Sequence, residues 1–278
     1  MSEAYQERFD GIRRLYGEAG AAAIASAHVC VIGIGGVGSW AVEALARSGV
    51  GAITLIDPDD IAASNANRQL HTLSNTLGQL KTAVMAERVM QIQPECRVQV
   101  FDQRIDENNQ AELLSQGYDY VIDAIDQLRP KAALLYYCKR NKIPVITTGG
   151  AGGMIDPTRI RISDLSRTEQ DPLAAKLRQR LRQEYGFSRN PKRRFGIDCV
   201  YSDEQPRFPA SDGGICHGKP GASGVKLDCA SGYGSASFVT AGFGFVAVSR
   251  VLQKLVEKEH RRDAEDAEKL GEISISSD

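Results

Sequence analysis

A group of four glycines near the amino terminus has the composition of a phosphate-binding turn. Gly33, Gly35, Gly36 and Gly38 lie directly after a short β-branched run and directly before a helical pattern. Glycine lets the backbone turn sharply and approach a phosphate, and the free N–H groups at a helix start hold its negative charge. Asp57 follows the second predicted strand, where a carboxylate can accept hydrogen bonds from a ribose. These residues predict a nucleotide site, and they leave the nucleotide open.

Two cations and an amide follow the strand that ends at Asp57. Asn65 and Arg68 belong to the segment SNANRQ, and Lys81 closes the segment GQLK at the start of the next predicted helix. A hydride-transfer enzyme has no need of two cations beside its dinucleotide. Attack of a carboxylate on the α-phosphate of ATP does need them, because it brings two anions together and builds charge on the bridging oxygen. The pattern favours ATP over NAD, with Arg68 and Lys81 as candidate catalytic residues.

The segment DAID places two carboxylates at the carboxyl end of the fourth predicted strand, and its last residue is Asp126. Ligands of open α/β sheets bind at that edge, and a carboxylate there can hold the Mg²⁺ that chelates ATP phosphates. Asp126 is therefore a candidate metal ligand and a third candidate catalytic residue. Taken singly, Arg68, Lys81 and Asp126 would more simply be solvated helix ends or surface pairs. Their joint order after a glycine turn argues against that interpretation.

The elements that would position these residues alternate between short β-branched runs and helical periodicity. This alternation predicts an α/β fold with a Rossmann-like, mostly parallel sheet, flanking helices and a C-terminal α/β extension. The predicted strands are His28 to Ile32, Ala52 to Ile56, Arg97 to Phe101, Tyr118 to Ile122, Pro144 to Thr148 and Arg159 to Ser163. The predicted helices are Val37 to Ser48, Leu80 to Gln93, Glu107 to Gln116, Pro130 to Asn141 and a leucine-striped helix around Leu177.

The chain of 278 residues is predicted to be a single unit with two parts. Residues 1–155 form the nucleotide-binding part, and residues 156–278 form a basic substrate-binding part with a glycine-rich loop and a C-terminal helix. The net charge of −1 says nothing about partners, but residues 159–194 contain eleven Lys or Arg against four Asp or Glu. The predicted loop Lys192-Arg193-Arg194 could contact RNA phosphates, although a charge run is more often a solvated face.

Compartment and membrane association follow from the cysteines and from one apolar segment. Six scattered cysteines without a CxxC motif indicate reduced thiols in a cytosol, and the charged amino terminus lacks a signal peptide. Cys216 and His217 are adjacent in the predicted loop Ser202 to Gly224, a spacing that is poor for a catalytic dyad. The segment Ala236 to Leu252 could be taken for a membrane span, but a buried core helix is the favoured interpretation.

The ordered motifs resemble those of the ThiF/MoeB/ubiquitin-activating superfamily of adenylating enzymes over roughly the first 150 residues. The resemblance implies that Asp57 binds the ribose, that Asn65, Arg68 and Lys81 bind the phosphates, and that Asp126 binds magnesium. It also implies a homodimer. One departure is Gln127, which follows Asp126 where the family usually has asparagine.

Three further segments, most of them in the second half of the chain, point to one group within this superfamily. Residues 129–138, 147–160 and 214–234 are similar to bacterial tRNA threonylcarbamoyladenosine dehydratases. This resemblance implies a cytoplasmic enzyme that uses ATP and Mg²⁺ on tRNA, adenylates the threonyl carboxylate and closes the ring with release of AMP. Two alternatives stay open: an adenylyltransferase for the C-terminal glycine of a ubiquitin-like sulfur carrier, and a noncatalytic ATP-sensing scaffold. Either would have sulfur-pathway partners such as a cysteine desulfurase or a sulfur acceptor.

Overall fold

The structure, a computed structural model, describes residues 2–210, 214–217 and 234–275, with side chains up to Arg261. Cys229, residues 218–224 of the predicted glycine-rich loop and the tail 276–278 lie outside the described residues. Seven strands form one sheet in the order β3-β2-β1-β4-β5-β7-β6. They are β1 His28–Ile32, β2 Ala52–Ile56, β3 Arg97–Phe101, β4 Tyr120–Asp123, β5 Val145–Thr148, β6 Ile160–Asp164 and β7 Asp198–Ser202.

Neighbouring strands of this sheet are parallel except for β6, which pairs antiparallel with β7 at one edge. Helices cover both faces, and a short hairpin stands apart from the sheet. The helices are α1 Glu3–Ser26, α2 Gly38–Arg47, α3 Lys81–Ile92, α4 Gln110–Leu114, α5 Leu128–Arg140, α6 Pro172–Glu184 and α7 Ser237–Ile275. The hairpin strands are β8 Phe208–Pro209 and β9 Ile215–Cys216. The predicted α/β class with a mostly parallel sheet and a C-terminal extension is confirmed.

Two apolar clusters fill the spaces on either side of the sheet, and alternate strand residues supply them because side chains alternate between faces. Helices α1, α2, α3 and α7 pack on one face, around residues such as Val31, Leu45 and Phe243. Helices α4, α5 and α6 pack on the other, around residues such as Leu135 and Leu177. The carboxyl ends of the six parallel strands β3, β2, β1, β4, β5 and β7 therefore lie at one edge of the sheet, between the two helical layers.

Several boundaries differ from those predicted, and local hydrogen bonds account for one of them. Helix α4 covers only Gln110–Leu114 of the predicted Glu107 to Gln116. The carboxylate of Asp106 accepts the N–H groups of Asn108 and Asn109, and the Asn109 amide oxygen accepts the N–H of Asp106 at 2.8 Å. These bonds stabilise a turn in place of the first helical turn. Helix α1 and strand β7 were not among the predicted elements.

The apolar segment predicted as a core helix lies in α7, which runs on through the charged residues that follow it. Ser237–Arg261 is long and apolar enough to cross a membrane, but 61% of its most apolar window is buried inside the protein, as in core helices of soluble proteins. Gly244 allows close packing on α2, since a Cβ there would lie 2.7 Å from the Val37 carbonyl oxygen. A Cβ at Gly242 would lie 2.5 Å from Ile160 of β6. The burial and the glycine contacts agree with the core-helix interpretation.

Candidate active site

The turn between β1 and α2 is so tight that only glycine fits at two of its positions. Gly33 has φ +86°, and a Cβ there would lie 2.9 Å from the carbonyl oxygen of Ala124, just beyond β4. A Cβ at Gly38 would lie 1.8 Å from the carbonyl oxygen of Gly33, which excludes any other residue. Among the described residues, no acceptor is recorded for the N–H groups of Gly35, Gly36 and Val37. These donors are suited to a phosphate.

The peptide units on both sides of Ile34 are held by side chains from other strands and loops. The Asp57 carboxylate accepts the N–H of Ile34 at 2.6 Å, and the His71 imidazole lies 2.8 Å from its carbonyl oxygen. A carbonyl can only accept, so His71 donates through Nε2. Burial lowers the pKa of His71, which favours the neutral ring with its single N–H. Asp57 and His71 together fix the shape of the glycine turn.

Asp57 lies at the carboxyl end of β2, as the sequence predicts for a ribose-binding carboxylate. It is 6% exposed and also accepts the N–H of Asp59 at 2.9 Å. Burial raises the pKa of Asp57 above its usual value, while the nearby Lys81 ammonium and the two backbone donors oppose this shift. The carboxylate has capacity for further donors, because each of its oxygens can accept more than one hydrogen bond.

Lys81 is at the predicted place but is paired. The residue is 5% exposed, and its ammonium lies 2.8 Å from a carboxylate oxygen of Asp59 and 3.8 Å from one of Asp57. Asp59 was not among the predicted site residues. The ion pairs hold a buried cation beside the glycine turn.

Arg68 reaches the same turn from the loop after β2. Its stem contacts the turn directly: a Cβ at Gly36 would lie 3.4 Å from Arg68 Cγ. The guanidinium donates to the Ser64 carbonyl oxygen at 2.9 Å and to the Asn67 amide oxygen at 3.0 Å. No carboxylate among the described residues forms an ion pair with it. The positive charge of Arg68 is therefore not neutralised within the described part of the chain.

Asn65 stabilises this loop through hydrogen bonds of its side chain and its backbone carbonyl. The residue is 9% exposed, and its amide oxygen accepts the N–H of Ala62 at 3.1 Å. Its backbone carbonyl accepts the N–H groups of Arg68 and Gln69 at 3.0 and 2.9 Å. The amide oxygen is thus engaged within the loop, and the amide NH₂ is the end of Asn65 that suits a phosphate oxygen.

The two carboxylates of DAID have different environments. Asp126 is exposed, in the loop that follows β4 and passes Gly33. Asp123 is fully buried and lies 2.9 Å from the ammonium of Lys131, itself fully buried on α5. Lys131 also donates to the Ile125 carbonyl oxygen at 2.8 Å, and Thr147 donates to Asp123 at 2.6 Å. The buried pair, which was not predicted, supports the loop that carries Asp126.

The basic loop Lys192-Arg193-Arg194 lies at the other end of the sheet. All three residues are exposed and precede β7, which runs parallel to β5, so they lie near the amino ends of the parallel strands. The N–H groups of Phe195 and Gly196 bind Asp164 at 2.9 and 2.7 Å and anchor the loop. A five-residue strand spans about 16 Å. The structure thus brings the predicted nucleotide residues together and leaves the basic loop at least one strand length away, before a strand that lies three positions from β1 in the sheet.

A scan against family models matches residues 9–270 of the chain to the ThiF family. The chain belongs to the ThiF family. A ThiF-family relative from Escherichia coli K12, named tRNA threonylcarbamoyladenosine dehydratase, is 57% identical over 94% of this chain and 98% of the relative.

Two crystal structures from E. coli, both of tRNA N6-threonylcarbamoyladenosine dehydratase (TcdA), are also similar to this ThiF-family chain. One is in complex with ATP, with TM-score 0.83 and 53% identity over 94% of this chain and 98% of that one. The other is in complex with AMP, with TM-score 0.81 and 53% identity over 92% and 97% of the two chains.

Three contributors to this site were missed by sequence reasoning, namely Asp59, His71 and Lys131. Asp59 offered a weak signal, because it follows the predicted ribose carboxylate within the acidic run after β2. Lys131 offered none, since a lysine in a predicted helix is most simply solvated. The sequence pattern indicated for His71 only a polar contact in a helical region, with no link to the glycine turn.

Proposed function

We propose that this ThiF-family protein is an ATP-dependent tRNA threonylcarbamoyladenosine dehydratase. The observation that carries the proposal is the similarity to the E. coli dehydratase along nearly the whole of both chains, 57% identity over 94% of this one and 98% of the other. In this reaction the threonyl carboxylate attacks the α-phosphorus of ATP and displaces pyrophosphate. Ring closure on the activated carboxyl then releases AMP.

ATP binds in the proposal at the carboxyl ends of β1, β2 and β4. The N–H groups of Gly35 and Gly36 face the phosphates, and Asp57 accepts hydrogen bonds from the ribose. Arg68 and Lys81 stabilise the negative charge that grows as the carboxylate attacks, with Asn65 as a further phosphate ligand. Arg68 is ready for this role because no described carboxylate neutralises it. Lys81 exchanges its contact with Asp59 for a phosphate oxygen.

Asp126 is the residue that would hold Mg²⁺. The fit rests on the chemistry of the two DAID carboxylates: Asp123 is fully buried and paired with Lys131, whereas Asp126 is exposed in the loop whose residue Ala124 approaches Gly33. The described residues contain no group of three or more metal-binding side chains. Mg²⁺ in ATP sites needs only one or two protein carboxylates, because phosphates and water supply the other ligands. The ion, when bound, supplies positive charge to the phosphates.

The tRNA is proposed to contact Lys192, Arg193 and Arg194 with its backbone while the modified adenosine reaches the carboxyl edge of the sheet. The separation is at least one strand length, about 16 Å, and the sugar-phosphate backbone of the tRNA would span it. Arg194 also lines a surface cavity of about 500 Å³ with Arg167, Arg250 and the carboxylates of Asp164 and Asp198, and Asp198 forms an ion pair with Arg250. A cytoplasmic homodimer remains the expectation from the family resemblance.

The decisive experiment measures AMP release by the purified protein with ATP and Mg²⁺. Parallel reactions contain threonylcarbamoyl-modified tRNA, unmodified tRNA, or a ubiquitin-like carrier protein with a Gly-Gly terminus. We expect AMP only with the modified tRNA, together with its cyclic product. AMP formation that requires the carrier protein would support the adenylyltransferase instead, and no AMP in any reaction despite ATP binding would support the scaffold.

Arg68→Ala and Lys81→Ala are expected to lower kcat by roughly 10² to 10³, with a smaller effect on the KM for ATP. The reason is that these cations meet charge that develops in the transition state. Asp126→Asn should differ, because added magnesium should partly relieve its defect. Wild-type turnover in both cation variants at saturating ATP would show that neither residue has the proposed role.

A further inference from the structure

The backbone carbonyl of Arg68 is held by two side chains from distant parts of the chain. The indole N–H of Trp40, on α2, donates to this oxygen at 3.0 Å. The hydroxyl of Thr240, in the first turn of α7, lies 3.2 Å from the same oxygen and 3.3 Å from the Ser237 carbonyl oxygen, and its single proton is donated to one of them at a time. A carbonyl oxygen has two lone pairs, so the Arg68 carbonyl can accept from Trp40 and Thr240 together. Arg68 and Thr240 are 172 positions apart, and Thr240 is 4% exposed.

The glycine turn with α2, the loop that carries Arg68, and α7 also pack against one another. A Cβ added at Gly36 would lie 3.4 Å from both Arg68 Cγ and Thr240 Cγ2, so the glycine turn, the arginine stem and the threonine methyl meet at one point. A Cβ at Gly244 would lie 2.9 Å from the N atom of Ala41 and 3.1 Å from Cβ of Trp40. Helix α7 therefore lies close against α2, at a distance that lets Thr240 and Trp40 bind the same oxygen.

A second link ties the beginning of α7 to this loop. The side-chain amide of Asn67 donates to the carbonyl oxygen and the hydroxyl of Ser235, both at 2.9 Å. Asn67 in turn accepts from the Arg68 guanidinium at 3.0 Å. The chain just before α7 is thus linked to the Arg68 side chain through Asn67, while Thr240 contacts the Arg68 backbone directly.

We infer that Trp40 and Thr240 are positioning residues for Arg68, so that the first turn of α7 is a working part of the ATP site. The inference rests on the proposed role of Arg68 in adenylation. Fixing the carbonyl fixes the peptide plane after Arg68 and therefore the direction in which its side chain leaves the backbone. Long side chains lose much rotamer freedom when they bind, and a misplacement of about 1 Å can cost on the order of 10² in rate.

The test compares substitutions that keep shape but change the hydroxyl. Thr240→Val removes the donor and retains the volume, and Thr240→Ser restores the donor. Thr54→Val is the matched control, because Thr54 is equally buried and its hydroxyl lies 2.8 Å from His28, away from the ATP site. Each variant is assayed for steady-state AMP release on threonylcarbamoyl-modified tRNA across an ATP titration, and for melting temperature.

We expect Thr240→Val to lower kcat by roughly 5-fold, the effect of one hydrogen bond, with the KM for ATP changed less than twofold. Thr240→Ser should recover most of this loss, and Thr54→Val should keep wild-type kcat. Combined with Arg68→Ala, Thr240→Val should cause no further loss, because its effect acts through Arg68. Trp40→Phe keeps an aromatic ring but loses the indole N–H, so it should reproduce the kcat loss. It takes the place of Thr240→Val in the test if that variant folds poorly.

Two results would overturn the inference, and they are distinguishable. Wild-type kcat in Thr240→Val and Trp40→Phe beside a large loss in Arg68→Ala would refute the positioning role and leave the proposed function intact. Wild-type turnover in Arg68→Ala would refute the proposed role of Arg68, and it would therefore refute the inference as well. A fall in melting temperature of Thr240→Val with unchanged kcat would show that the contact is purely structural.

Discussion

Replacing Lys131 by methionine is expected to destabilise the protein by about 3 kcal/mol. Lys131 and Asp123 are both 0% exposed, and the ammonium lies 2.9 Å from the carboxylate. Removing one partner of a buried ion pair leaves the other charge uncompensated, which typically costs about 3 to 5 kcal/mol. Methionine has a similar length and no charge, so little of the effect comes from a cavity.

We expect a loss at the lower end of the range of about 3 to 5 kcal/mol, because Asp123 keeps two other hydrogen bonds. Asp123 keeps the Thr147 hydroxyl at 2.6 Å and the Ile125 N–H at 3.1 Å, and both partly replace the lost cation. The Ile125 carbonyl loses its donor, which adds to the cost. For a chain of this size, about 3 kcal/mol corresponds to a fall in melting temperature of roughly 6 °C.

Equilibrium unfolding in urea measures the change in free energy directly. Lys139→Met is the control, because Lys139 lies on the same helix and is exposed. Adding Asp123→Asn to Lys131→Met should recover part of the loss, since it removes the stranded charge. Equal stability of Lys131→Met and Lys139→Met would refute the reasoning, as would a double variant less stable than Lys131→Met alone.

Three further predictions concern the basic loop, the glycine turn and pH. K192A/R193A/R194A should weaken tRNA binding and flatten its salt dependence in a titration, with an unchanged melting temperature; an unchanged salt slope would remove this loop from the RNA site. Gly38→Ala should lower the melting temperature far more than Gly35→Ala, because the added methyl meets the Gly33 carbonyl at 1.8 Å but finds its nearest neighbour at 3.7 Å at position 35; equal melting temperatures would contradict this. Burial lowers the pKa of His71, so only the unfolded chain takes up its proton as the pH falls below 6.5, and stability should fall by up to about 1.4 kcal/mol per pH unit. His71→Gln, which keeps a donor for Ile34, should reduce that slope in urea titrations, and an unchanged slope would show that other groups cause it.

Local sequence patterns were sufficient to predict the central strands of the sheet and the glycine turn. Strands β1, β2 and β3 have the predicted boundaries because each is a short β-branched run with a clear end. The glycine turn could be located because a tight strand-to-helix connection requires glycine wherever a Cβ would meet backbone, as at Gly38. Helix α4 was predicted too long because the side chains of Asp106 and Asn109 compete with helical hydrogen bonds, an effect that composition alone does not reveal.

Properties that depend on distant contacts could not be predicted. Lys131 occupies a position in α5 that any exposed lysine could occupy, and its burial depends on Asp123 and Thr147 from two separate strands. Lys81 was predicted as a phosphate-binding cation, but its ion pair with Asp59 was not predicted, because that pair depends on how α3 meets the loop after β2. The contacts of Thr240 with Arg68 depend on the return of the chain to α2 after more than 170 residues.

The position of α7 in the core has a consequence for synthesis of the protein on the ribosome. Val239, Phe243 and Ala247 complete the same apolar cluster that contains β1, β2 and α2, although the chain makes those elements some 200 residues earlier. The nucleotide-binding half therefore cannot complete the burial of that face of its sheet until α7 has left the exit tunnel, although α1, α2 and α3 already cover part of it. At about 5 to 20 residues per second, the part that α7 covers stays exposed for at least about 10 seconds. Premature termination anywhere before α7 should yield a chain that chaperones retain, even though all its predicted ATP ligands have already been made.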